Sequence, residues 1–153
     1  MQKIGILSDT HRMLRPEVLE KLEGCDLILQ GGDINRKEIL ERLEEIAPVY
    51  AVRGNNDKEW AEYLPETLSL EVESCRIFMV HNKKQVPKEL ADIDVIIFGQ
   101  SHKYSEQSID HRVWLNPGSC GKRRFDQEIT FALMEVDGKN ISIEKVAVSH
   151  KQK

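Results

Sequence analysis

Short apolar runs alternate with helical spacing through the first third of the chain. Residues 3–7, 27–30 and 49–52 are brief stretches rich in Ile, Leu and Val, as parallel strands buried on both faces require. Between the first two, Pro16 stands where a helix can begin and Gly24 where it can end, with Val18, Leu19 and Leu22 on one face. Between the second and third, Ile39, Leu40, Leu43 and Ile46 recur at helical spacing. The order βαβαβ predicts a parallel sheet covered by helices, because parallel neighbours need a crossover connection.

Beyond Pro65 the pattern changes. Residues 67–72 and 76–80 are separated only by Glu73, Ser74 and Cys75, which predicts a hairpin. Residues 95–98 form another buried-type run, and 113–115 a short one. Residues 130–136 turn through Asp137-Gly138 into 141–148. A mixed arrangement is expected, with these later strands, the last hairpin included, making a second sheet. There is no internal repeat, low-complexity tract or long linker, so residues 1–148 read as one domain and 149–153 as a tail that frays.

Composition agrees with a compact fold: 153 residues, 40% hydrophobic and 31% charged, suit one globular domain. The formal net charge of -4 argues against a broad nucleic-acid surface, although Lys122, Arg123 and Arg124 could hold a single phosphate group. No apolar run approaches the roughly 18 residues that span a bilayer, and no signal-type segment precedes the first strand, so a cytoplasmic location is expected. Cys25, Cys75 and Cys120 form no CxxC pair and suggest neither a disulfide framework nor a thiolate zinc site.

The chemistry lies just past the end of each strand. The first run leads into Asp9-Thr10-His11, the second into Gly31-Gly32-Asp33, and the third into Arg53-Gly54-Asn55-Asn56-Asp57. The run ending at Val80 leads into His81, and the one ending at Phe98 into Gly99-Gln100-Ser101-His102. The carboxyl ends of strands in open α/β sheets form the ligand crevice, so these groups can converge. Each alone has a plainer reading. Asp9 or Asp33 can cap a helix, Gly31-Gly32 and Asn55 can serve a turn, and His81 or His102 can be a hydrogen-bonded structural histidine. The ordered series of carboxylate, imidazole and amide donors at strand ends favours a mixed-ligand site for Mn, Fe, Zn or Ni over an all-oxygen calcium site.

The series D-x-H, G-G-D, G-N-x-D, H and G-x-x-H, followed by Asn116-Pro117-Gly118-Ser119, resembles the calcineurin-like metallophosphoesterase superfamily, and within it the small YfcE-type phosphodiesterases. The resemblance spans residues 3 to 148. It implies a four-layer α/β/β/α sandwich in which two mixed β-sheets face each other, with two divalent metal ions at one end. Manganese is the first expectation for the metal, with nickel, iron or zinc as alternatives. By the same resemblance, Asp9, His11, Asp33 and His102 would bind one ion, and Asp33, Asn55 and His81 the other. The shared ligand must be anionic and offer two oxygens, which Asp33 satisfies. The implied activity is phosphodiester hydrolysis of a small substrate by attack of a metal-held hydroxide.

Three positions depart from the family pattern. Gln100 stands where an imidazole usually serves the second ion, and its amide oxygen is a weaker donor. Asn56 stands where larger members carry a histidine that assists the leaving group. Asn82 follows the middle-strand ligand where glycine is common. Without the histidine, proton delivery falls to Asp57, to Asn56 through water, or to solvent, which favours diesters or good leaving groups. Asp33, Asn55, Asn56 and Asp57 are therefore the expected catalytic residues, and Arg12 and Asn56 the expected substrate contacts. The competing expectation, prompted by Gln100, is a catalytically weak or inactive scaffold or binding protein on this fold, as the eukaryotic retromer subunit is. A homodimer is expected from the habit of small members of the fold.

Overall fold

The computed structural model describes residues 1–10, 14–34, 36–54, 57, 64–88, 92–99, 103–120 and 129–148. In chain order the described elements are β1 (Gln2–Leu7), α1 (Pro16–Leu22), β2 (Leu27–Gln30), α2 (Lys37–Glu44) and β3 (Val49–Ala51). They continue with β4 (Thr67–Val72), β5 (Cys75–Val80), β6 (Val95–Ile97), β7 (Tyr104–Ile109), β8 (Arg112–Pro117), β9 (Ile129–Asp137) and β10 (Asn140–Val148).

Two five-stranded mixed sheets result, ordered β10-β9-β1-β2-β3 and β4-β5-β6-β8-β7. In the first, β1, β2 and β3 run parallel, as the βαβαβ order predicts. The β9–β10 hairpin does not join the second sheet as expected. It flanks β1 antiparallel, with Ile4 opposite Met134. The reason is burial on both faces of β9. Ala132, Met134 and Val136 enter the apolar layer between the sheets, while Ile129 and Phe131 enter the layer beneath the helices. A strand apolar on both sides belongs inside a sandwich. Strand β7 had no sequence expectation, since Tyr104–Ile109 is a polar, largely exposed edge.

The helices pack on the outer face of the first sheet. Val18 and Leu22 of α1, with Ile39, Leu40 and Leu43 of α2, bury against Leu7, Ile28 and Ala51. Helix α2 spans 8 residues and neither helix has a side-chain N-cap, so this burial, about 1.5–3 kcal/mol per large apolar side chain, is what holds them. Between the sheets, Ile4, Ile6 and Leu29 meet Ile77, Met79, Val95, Ile97 and Leu115. The outer face of the second sheet carries Phe78, Val80 and Ile96, packed by Val86, Ile93 and Trp114 beside a 3₁₀ turn at Lys83–Gln85. The parallel strands of both sheets end at the same rim, which decides where the polar residues gather.

Candidate metal centre

Asp9 and Asp33 lie just past the carboxyl ends of β1 and β2, neighbouring parallel strands of the first sheet, and His81 lies just past β5 in the facing sheet. All three are buried, at 0%, 4% and 2% exposure. One ligand atom from each lies within 4.8 Å of the others, the one such group of three or more among the described residues. His81 Nε2 stands 3.1 Å from Asp33 Oδ2 and 3.7 Å from Asp9 Oδ1. Donors bound to one ion at about 2.0–2.2 Å stand roughly 3.0–3.5 Å apart, so the His81–Asp33 spacing fits a shared cation and the His81–Asp9 spacing is slightly wider.

The imidazole shows what this space is suited to hold. His81 Nδ1 is 2.7 Å from the Gly31 carbonyl, which can only accept, so Nδ1 carries a proton and donates it. Nε2 is buried and makes no hydrogen bond among the described residues, although Asp33 Oδ2 stands 3.1 Å away. In the neutral ring its lone pair therefore faces two carboxylates, a repulsive arrangement until a proton or a metal cation intervenes. Burial, the largest influence on the His81 pKa, opposes a protonated ring, but Asp33, Asp9 and the Gly31 carbonyl outweigh it and raise the pKa above the ordinary histidine value. A histidine whose second nitrogen is tied to a carbonyl is also how proteins orient a metal ligand. The donor set fits a divalent transition metal.

Both carboxylates sit on left-handed backbone, Asp9 at φ 56° and Asp33 at φ 54°, a conformation that costs about 1–3 kcal/mol and persists only when its surroundings enforce it. The enforcement is visible. The Asp9 N–H donates to the Gly32 carbonyl at 2.9 Å, and Ser119 Oγ donates to the Asp9 carbonyl at 2.9 Å. Ser8 Oγ donates to Asp9 Oδ2 at 2.8 Å. Asp57 accepts the Ile34 N–H at 2.9 Å and the Gly54 N–H at 3.0 Å, clamping the loop after β3 to the loop after β2. Close approach explains two glycines. A Cβ on Gly54 would run into the Asp33 backbone nitrogen and carboxylate, and one on Gly99 would meet Asp9 Oδ2 at 2.9 Å and His81 Nδ1 at 3.1 Å.

Among the expected site residues, Asp9, Asp33 and His81 come together, and Asp57 stands beside them with both carboxylate oxygens on backbone amides. Asp33 is not the cap of α2, whose N-cap is Arg36. His11, Arg12, Asn55, Asn56, Gln100 and His102 lie outside the described residues, as do residues 122–124. Three supporting residues had no role assigned from the sequence. Ser8 and Ser119 hold Asp9, while Asn116 Nδ2 donates to the Gly99 carbonyl at 3.3 Å and its Oδ1 accepts the Gly118 N–H at 2.9 Å. The available signal was the Asn116-Pro117-Gly118-Ser119 string itself, a run of turn-forming residues that overlaps the end of β8.

Residues 2–139 match the sequence model of the calcineurin-like phosphoesterase superfamily domain. The chain belongs to that superfamily. A probable metallophosphoesterase of Methanothermobacter thermautotrophicus is 31% identical, covering 92% of this chain and 90% of its own. A phosphodiesterase of Methanocaldococcus jannaschii is 29% identical over 77% of this chain and 84% of its own. Among solved structures, wild-type Vps29 of Entamoeba histolytica in complex with zinc superposes with a TM-score of 0.75 at 22% identity, over 96% of this chain and 98% of its own. That match bears on fold, and the fold is the α/β/β/α sandwich expected from the sequence. Membership in the calcineurin-like superfamily implies divalent-metal binding, for which Asp9, Asp33 and His81 provide a fitting group. No helix among the described residues is long and apolar enough to cross a membrane.

Proposed function

We propose that the protein is a divalent-metal-dependent phosphodiesterase acting on a small phosphate ester. The observation that carries the reading is His81 Nε2, buried, without a hydrogen bond among the described residues and held 3.1 Å from Asp33 Oδ2 and 3.7 Å from Asp9 Oδ1. On this reading two cations, manganese first and nickel, iron or zinc as alternatives, are held at the strand-end rim. When bound, they supply Lewis-acid chemistry, acidifying water and neutralising charge that builds on phosphoryl oxygens.

The chain's own residues divide the rest of the work. Asp33 is anionic and offers two oxygens, so it is the ligand suited to bridging. Asp9, His11 and His102 complete one side, and Asn55, His81 and Gln100 the other. The hydrogen bonds on the Asp9 N–H, carbonyl and Oδ2 hold this ligand in place as charge develops, the condition for electrostatic preorganisation. Arg12 and Asn56 are assigned to the substrate phosphate. Asp57, whose two oxygens accept the Ile34 and Gly54 amides, ties the end of β3 to the loop that follows Asp33. Proton delivery then falls to Asn56 through water or to solvent, which favours aryl diesters over alkyl monoesters.

The test is hydrolysis of bis(p-nitrophenyl) phosphate by metal-stripped protein resupplied with manganese, nickel, zinc or magnesium, beside Asp33→Ala and His81→Ala. Turnover that requires a transition metal and disappears in both variants is expected. Folded protein that binds metal tightly yet turns over no diester would move the reading to a metal-binding scaffold on this fold.

A further inference from the structure

We propose that Ser8 is a positioning residue that holds Asp9 to one-oxygen coordination and so helps set which divalent cation the site prefers. The inference rests on the metal-site reading above and extends it to a residue that is not itself a ligand. Ser8 is fully buried, and its hydroxyl proton goes to Asp9 Oδ2 at 2.8 Å. The hydroxyl has little room to turn elsewhere. A Cβ on Gly31 would lie 3.0 Å from Ser8 Oγ, and one on Gly99 would collide with it, so glycine backbone packs against the oxygen from two loops.

Asp9 is fixed at three further points, by its N–H on the Gly32 carbonyl, its own carbonyl under Ser119 Oγ, and its left-handed φ of 56°. With Oδ2 committed to Ser8, Oδ1 is the oxygen turned toward His81 Nε2, at 3.7 Å. A carboxylate offering one oxygen suits small ions with few ligands at about 2.0–2.2 Å, such as zinc. A carboxylate free to swing and chelate with both oxygens suits calcium, which takes 6–8 oxygen ligands at about 2.3–2.6 Å. Ser8 thereby disfavours the larger, harder ion through the geometry of a neighbour.

The experiment is calorimetric titration of metal-stripped wild type and Ser8→Ala with zinc, manganese and calcium, together with thermal melts of the metal-free proteins. Alanine removes only the hydroxyl oxygen, and a melt close to wild type shows that the fold is kept. The expected result is a loss of about 10–100-fold in zinc and manganese affinity in Ser8→Ala, the usual effect of removing a group that orients a ligand. Calcium affinity should be unchanged or improved, so that the zinc-to-calcium ratio falls. Zinc and calcium binding equal to wild type in Ser8→Ala would overturn the proposal and leave the metal site standing. So would an equal drop for all three ions, since Ser8 would then only support the packing of the site. A wild-type protein that takes up none of the ions would overturn this proposal and the metal-site reading together.

Discussion

Gln30 is fully buried, yet neither its amide nitrogen nor its amide oxygen has a hydrogen-bond partner among the described residues. It sits at the end of β2 with Leu7 of β1 and Ala51 of β3 as register partners, and both of these belong to the apolar layer under the helices. Side chains paired in register share a face, so the amide points into that layer. Burying an amide without a partner costs about 1–3 kcal/mol on the scale derived from protein variants. Methionine has the same unbranched reach and no such demand, while volume-conserving exchanges cost up to about 1.5 kcal/mol in imperfect fit. Gln30→Met should therefore stabilise the protein by about 1 kcal/mol, or about 2–4 °C in Tm for a chain of this size. Urea denaturation of metal-free wild type and variant, with m-values compared, measures it directly. A loss of more than about 1 kcal/mol would refute the reasoning, because it would mean that the amide is satisfied in solution and its partner is lost with it.

Two further outcomes are expected from the geometry. Asp57→Ala should cost about 2–4 kcal/mol in chemical denaturation, because two charge-assisted bonds to the Ile34 and Gly54 amides disappear together, and a loss under about 0.5 kcal/mol would show that Asp57 is not a clamp. The thiols should be inert: burial raises the pKa of Cys25 and Cys75 and pushes Cys120 up to about 12. Native protein at pH 8 should resist iodoacetamide at all three cysteines and react fully once unfolded, and prompt labelling of the folded chain would contradict this. The same shifts fix a sign for stability. The protonated thiols favour the fold fully below their ordinary value of 9.0, and the advantage is lost as pH rises from there toward about 12.

The parts of the fold that were legible in the sequence are those in which burial imposes a period. β2 and β4 fall where the runs at 27–30 and 67–72 place them, and both helices form where Val18, Leu22, Ile39, Leu40 and Leu43 share a face. Strand β7 was invisible because Tyr104–Ile109 buries no face and so carries no alternation. The placement of the β9–β10 hairpin was misjudged for a different reason. Local pairing through Asp137-Gly138 is written in the turn, but which sheet the pair joins depends on a partner more than a hundred positions away in β1. At the site, Asp9, Asp33 and His81 could be named as candidates from the ordered series of donors at strand ends. Their supports could not, because the pattern around Ser8 does not say that its hydroxyl will hold Asp9 Oδ2, and the turn residues at 116–119 do not say that their amide and hydroxyl groups will meet the Gly99 and Asp9 backbone.

Asp9 and Asp33 follow strands of one sheet and His81 a strand of the other, and the layer between the sheets is largely apolar. A cation held among them would act as a rivet through the mouth of the sandwich. Its binding free energy would then be conformational free energy as well, about 2.7 kcal/mol when free metal stands a hundredfold above Kd. Opening of that rim would require the ion to leave first, so the frequency with which the two layers part would follow the supply of metal rather than the strength of the apolar contact alone.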